Sequence, residues 1–190
     1  MSTAGPPPGG LVRPAVLQDA AAIAAVHVTT WRDAYAGLLP DDVLGGLDIN
    51  ERAQTWHGRL LALPDGVFVF VFVFEADGEV RGFVSGGPDR EGRARGEVFA
   101  IYVDPGSQGR GAGRRLLQAA AKRLAGAGFT QASLWVFADN HPARGFYESQ
   151  GWRPDGTEQP WTYPGIGESL TDVRYVVDLG PLRQPGPHRG

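Results

Sequence analysis

Three glycines at alternate positions, Gly109, Gly111 and Gly113, stand between a β-forming run and a helix-forming run in the segment IYVDPGSQGRGAGRRLL, residues 101 to 117. A strand that enters a helix through such a turn presents unpaired backbone N–H groups at the positive end of the helix dipole, and that arrangement binds phosphate. Glycines let the backbone approach a ligand closely. Two phosphate-binding spacings are excluded. Gly106 and Gly111 have the separation of a P-loop, but Ala112-Gly113 follows where Lys-Ser/Thr is required. A dinucleotide fingerprint starting at Gly109 requires a glycine at position 114, which is Arg114. The pattern that fits is Q-x-x-G-x-G, as Gln108, Gly111 and Gly113. On this hexapeptide alone a ligand-free, glycine-rich helix start is an equal reading.

A second signal follows in WVFADNHPARGFYESQGW, residues 135 to 152, which contains N-x-x-A-x-x-F-Y-x-x-x-G as Asn140, Ala143, Phe146, Tyr147 and Gly151. The two segments, in this order and spacing, resemble the GNAT superfamily of acyl-CoA-dependent N-acetyltransferases. The resemblance covers about residues 11 to 179 and is specific over 97 to 152. It implies acetyl-CoA as cofactor, with the pyrophosphate of coenzyme A on the backbones of Gln108, Gly109, Arg110, Gly111, Ala112, Gly113 and Arg114. Arg110 and Arg114 would add charge, whereas Arg115 reads as a solvated arginine on a helix. It also implies that the fourth strand, Glu97 to Val103, splays from its neighbour and pairs with the pantetheine arm. Ile101, Tyr102 and Val103 would then contact the cofactor, with the Val103 N–H as donor to the thioester carbonyl.

Acetyl transfer to an amine requires a neutral nucleophile, a polarised carbonyl and a proton for the departing thiolate. The resemblance gives the proton to Tyr147, and a phenol with a pKa near 10 is protonated at neutral pH. The alternative for Tyr147 is a buried ring that only packs. Asn140 would contact the pantetheine or its water, or else cap the helix beside Pro142. By the same resemblance Glu97 is the candidate base; with an ordinary pKa near 4.3 it would need burial or a relay through water, and its alternative is an exposed acid at a strand edge. His27 and His57 are rivals of lower rank. By the same resemblance the acceptor wall comes from residues 30 to 40 and 158 to 168. Trp31, Tyr35, Trp161 and Tyr163 would line an aromatic slot for an amine through cation–π contacts; Trp31 and Tyr35, four apart on a helix, could instead pack on the sheet, the preferred reading for Trp31, with Tyr35 left open. Asp33, Asp41, Asp42 and Glu168 could select a cation, but single acids in such loops are usually surface residues.

These groups need a scaffold, and the periodicities supply one. Strands are predicted at Leu11 to Val16, Val67 to Phe74, Glu79 to Gly86, Glu97 to Val103, Gln131 to Phe137 and Thr171 to Leu179. In VFVFVFVF, Val67 to Phe74, the Phe and Val side chains take opposite faces, as in a strand at the middle of a sheet covered on both sides. Asp77-Gly78 is a hairpin signal. Helices are predicted after Asp19, after Pro40, from a cap at Asn50 through Leu63, over about Gly109 to Ala125, and over Pro142 to Ser149. The sum is an α/β (α+β) fold: a mixed, mostly antiparallel sheet of about seven strands, flanked by helices and splayed between the fourth and fifth.

Length and composition agree with one such domain. The chain has 190 residues, 42% hydrophobic and 21% charged, with no Cys. We read residues 1 to 10 and 180 to 190, rich in Pro and Gly, as flexible ends and 11 to 179 as a single domain. Without Cys there is no thiolate metal site and no acyl-thiol intermediate, and no metal is expected. A net charge of −3 argues against a nucleic-acid partner, and no stretch approaches the roughly 20 apolar residues that span a membrane. The expected partner is a small-molecule or peptide amine, the location cytoplasmic, and the resemblance implies a homodimer. The activity read from these residues is an N-acetyltransferase acting by direct attack in a ternary complex; the competing reading is a non-catalytic acyl-CoA sensor or docking module of the same fold.

Overall fold

The computed structural model describes residues 9–62, 69–163 and 170–180. Its seven strands are β1 (Leu11–Pro14), β2 (Phe70–Ala76), β3 (Glu79–Pro88), β4 (Gly96–Val103), β5 (Gln131–Phe137), β6 (Arg153–Trp161) and β7 (Leu170–Asp178). The helices are α1 (Ala20–Ala34), α2 (Asp41–Gly45), α3 (Ile49–Leu61), α4 (Ala112–Gly126) and α5 (His141–Ser149). The strands form one sheet in the order β1-β2-β3-β4-β5-β7-β6, antiparallel throughout except for the parallel β4–β5 pair. The expected mixed, mostly antiparallel sheet is therefore present.

Alternation along β2 builds both faces. Phe70 and Phe74 enter a core with α4 and α5, while Val71 and Val73 pack with Ile23, Ala24 and Trp56 of α1 and α3. β2 lies one strand in from the β1 edge rather than at the middle, yet both its faces are covered. On α4, Leu116, Leu117, Ala120 and Leu124 recur at helical spacing and are buried against the sheet. Each buried leucine contributes about 1.5–3 kcal/mol as an upper estimate.

Several local expectations shift. The cap of α3 is Asp48, whose carboxylate accepts from the Glu51 N–H at 2.8 Å, and Asn50 lies inside the helix. α4 begins at Ala112, three residues later than predicted, because Gly109 and Gly111 take positive φ. β6 was not foreseen. Its Pro154, Gly156 and Pro160 read as turn residues, but β6 is the last strand of the sheet and pairs only on its β7 side, where proline is tolerated. Arg115 is not a free helix arginine: its guanidinium donates to the carbonyls of Gly9 (3.1 Å) and Gly10 (2.8 Å), and so ties part of the supposed loose end to α4. The expectations for residues 1 to 8, Leu63, Val67, Phe68, Glu168 and 181 to 190 lie outside the described residues. Among the described residues no helix is long and apolar enough to cross a membrane.

Candidate functional site

β4 and β5 are paired only at Gly96–Ala132 and Glu97–Ser133, and then they part. The divergence follows a bulge in β4: Ser85 faces Ala100 and Gly86 faces Val98, so Phe99 is the extra residue, and a bulge bends and twists its strand. Beyond it, the Asp104 N–H donates to the Arg81 carbonyl of β3 at 2.8 Å. By alternation the amides of Ile101 and Val103 point the other way, into the gap toward β5. The Val103 carbonyl on that side accepts from Thr30 Oγ1 (3.2 Å) and Gln108 Nε2 (3.1 Å), which fixes the end of the strand. The gap opens into a cleft of about 490 Å³, a size that suits a ligand of cofactor dimensions.

The glycine turn forms one end of the cleft. Gly109 has φ 73° and Gly111 φ 87°, a conformation that favours glycine. The first α4 hydrogen bond runs from the Arg115 N–H to the Gly111 carbonyl at 3.1 Å, so the amides of the helix start have no helical acceptor. A Cβ at Gly109 or Gly111 would meet no atom within 4 Å, leaving open space above both. Gly113 serves packing instead. A Cβ there would lie 3.3 Å from the Phe146 ring, so its lack of a side chain lets α4 pack closely on α5. Gln108, Gly109, Gly111, Gly113 and Arg114 line the cleft. Arg110 is exposed outside its wall, and Ala112 is buried in the core beneath it.

Ile101, Tyr102, Val103, Asn140 and Tyr147 also line the cleft, as does Tyr35. The Tyr147 hydroxyl has no hydrogen-bond partner among the described residues, and burial pushes its phenol well above the ordinary tyrosine range. Burial likewise raises Tyr35 and Tyr102, so all three phenols hold their protons. Asn140 caps α5: its side-chain oxygen accepts from the Ala143 N–H at 3.1 Å, which leaves its amide NH2 for the cleft. Trp31, Trp161 and Tyr163 stand behind Tyr35 rather than in the cleft wall. Trp31 packs edge-on to Tyr35 with centroids 5.1 Å apart, and Trp161 stacks on Tyr163 at 5.7 Å. Trp31 contacts both of the latter at 6.4 Å. The four aromatics named from the sequence are thus brought together, and they are half-buried rather than sealed in the core.

Residues 30–152 match the sequence model of the acetyltransferase (GNAT) family. The chain belongs to that family. It is 39% identical to the uncharacterized N-acetyltransferase YuaI of Bacillus subtilis over 140 residues, 73% of this chain and 77% of that protein. It is 31% identical to the "Probable N-acetyltransferase Rv2775" of Mycobacterium tuberculosis over 166 residues, 86% of this chain and 91% of that one. In structure it resembles the PaiA N-acetyltransferase of Thermoplasma acidophilum, solved in complex with coenzyme A, with a TM-score of 0.71, 18% identity, and coverage of 89% and 98% of the two chains.

In this GNAT chain Glu97 does not reach the cleft. It is 2% exposed at the root of the splay, where its carboxylate accepts from the Arg90 backbone N–H at 2.9 Å and from Nε at 2.9 Å and Nη2 of the same residue. Its oxygens are thereby occupied, and the Arg90 guanidinium also lies 5.1 Å over the Phe99 ring at the bulge. Glu97→Gln should lower stability by about 1–3 kcal/mol, because Arg90 is largely exposed and can return to water, and should leave the pH profile of kcat unmoved. A melting curve and a pH–rate series check both; a lost limb in the profile would restore Glu97 as base. His27 is a core histidine: its Nδ1 accepts from Trp56 Nε1 at 3.2 Å, its ring stacks on Tyr102 at 5.0 Å, and burial, aided by Arg52 and Arg59, pushes its pKa down to about 3. His57 is exposed on α3. Phe99 and Trp135, which sequence reasoning did not single out, line the cleft, Phe99 at the β4 bulge and Trp135 on the part of β5 beyond its pairing with β4; Thr30, within the segment expected to wall the acceptor site, lines it from the end of α1.

Proposed function

We propose that this protein is an N-acetyltransferase that moves the acetyl group of acetyl-CoA to a primary amine by direct attack in a ternary complex. One observation carries the reading: a strand edge with unpaired amides runs from a phosphate-type turn to a protonated, unpartnered tyrosine within a single cleft. The open space above Gly109 and Gly111 fits a phosphate group, and the coenzyme A in the related PaiA structure supports the choice of ligand.

Acetyl-CoA, when bound, supplies an activated acetyl thioester. The amides of the turn from Gln108 to Arg114 hold its pyrophosphate, with Arg114 adding positive charge at the cleft wall. The Ile101 and Val103 amides hold the pantetheine arm as an added strand, and the Val103 N–H polarises the carbonyl. The Tyr147 phenol holds the proton required by the departing sulfur. Among the described residues the cleft wall carries no carboxylate and no histidine, so the proton of the acceptor ammonium leaves through water rather than to Glu97. No Cys is present to carry an acyl group, which favours direct attack.

The test is the melting temperature with acetyl-CoA, coenzyme A, ATP and NAD at matched concentrations, followed by initial-rate kinetics over an amine panel. A ligand at 100 times its Kd adds about 2.7 kcal/mol and raises the melting temperature by several degrees. Selective stabilisation by acetyl-CoA with intersecting initial-rate patterns is expected. Binding without turnover on any amine would indicate a sensor, and stabilisation by ATP or NAD alone would overturn the assignment.

A further inference from the structure

Asp172, on β7, is a buried acid without a counterion. Its residue is 7% exposed, and among the described residues no Lys, Arg or His lies within ion-pair distance of it. The nearest influence of a cation is Arg90, which is already bound to Glu97. Burying a carboxylate without a partner is costly unless something else meets the charge.

The alternation of β7 fixes the direction of this acid. Val173 and Tyr175 enter the core under α4 and α5, so Asp172 and Arg174 face the opposite side of the sheet, where the Arg174 guanidinium sits 5.4 Å over the Trp135 ring. Asp172 is paired with Phe137 on β5 and with Gln159 on β6. The Phe137 ring lies 5.0 Å from Tyr35 and 4.8 Å from Trp161. Tyr35 in turn lines the cleft. Asp172 therefore shares a sheet face with Phe137, whose ring belongs to an aromatic cluster that meets the cleft at Tyr35, and its charge acts on the Tyr35 phenol. Burial raises the Asp172 carboxyl above its ordinary range, opposed by a hydrogen bond from Gln159 and by the charge of Arg90, as expected of an acid that lacks a full counterion.

We propose that Asp172, with the rings of Tyr35, Phe137 and Trp161, forms a subsite that recognises an alkylammonium group of the acceptor. The inference rests on the acetyl-transfer reading, and it assigns the acceptor class: a cation on an apolar stem, with the stem along the rings and the charge at Asp172. Rings attract a cation through their faces, and the carboxylate adds a charge that a neutral analogue cannot use.

The experiment needs no turnover. The full chain, saturated with coenzyme A, is titrated with hexyltrimethylammonium and separately with 1-hexanol, followed by the fluorescence of Trp31 and Trp161. The cation should bind at least about tenfold more tightly than the alcohol. Asp172→Asn should erase that preference, while its coenzyme A affinity and melting temperature stay near those of the parent chain. If Asp172→Asn fails to fold, Trp161→Leu on the edge strand should weaken cation binding about threefold or more beyond any loss it causes for hexanol. Equal binding of cation and alcohol, or a preference that survives in Asp172→Asn, or one left undiminished in Trp161→Leu where Asp172→Asn does not fold, overturns the subsite. Failure of coenzyme A itself to bind is seen in the same samples and strikes the parent reading instead.

Discussion

Tyr147→Phe should lose about 10²-fold in kcat while its affinity for acetyl-CoA stays near that of the parent chain. The substitution removes one oxygen and keeps the ring, which packs against Phe146 at 5.4 Å and Tyr175 at 6.1 Å, so the fold has little reason to respond. The hydroxyl has no partner among the described residues, and no buried group is orphaned by its removal. Because burial pushes the phenol above the ordinary tyrosine range, Tyr147 remains a proton donor throughout the usual assay range and contributes no alkaline limb below about pH 10. Steady-state kinetics together with a calorimetric titration of acetyl-CoA make the check. An unchanged kcat would leave Tyr147 as a packing residue.

Gly111→Val should weaken coenzyme A binding by about 10²-fold or more with only a small change in melting temperature. At φ 87° a β-branched side chain is strained, by roughly 1–2 kcal/mol, which a 190-residue chain tolerates. The added atoms meet no protein atom, since a Cβ at this position has nothing within 4 Å. They would occupy the space that the phosphate needs, so the loss falls on the ligand. Gly111→Ala should lie between the two, sharing the strain but filling less of the space. Retained binding in Gly111→Val would place the phosphate site elsewhere.

The difference between these two residues and Glu97 marks the boundary between local and tertiary information. The turn at Gly109 and Gly111, the hairpin at Asp77-Gly78 and the helical stripe of α4 depend on neighbours in sequence, through positive φ and through periodicity, and all were legible in the chain. Glu97 was legible as a residue of β4 but not in its role. The partner that occupies it, Arg90, lies in the turn between β3 and β4, and only the fold of that turn brings its guanidinium to the carboxylate. β6 was hidden by two prolines and a glycine whose local preferences favour turns, and only its position at the end of the sheet permits the strand.

The sequence by itself therefore determined the family pattern, the sheet and helix inventory apart from β6, and the glycine turn, because each is set by chain-local geometry or by a spacing that survives without contacts. The tertiary structure decided which side chains meet beside the cleft. Tyr35, Phe137, Trp161 and Asp172 come from the end of α1, β5, β6 and β7, and their convergence depends on sheet order and strand alternation. A one-residue change of register would turn Asp172 to the other face, a physical fact that no single segment records.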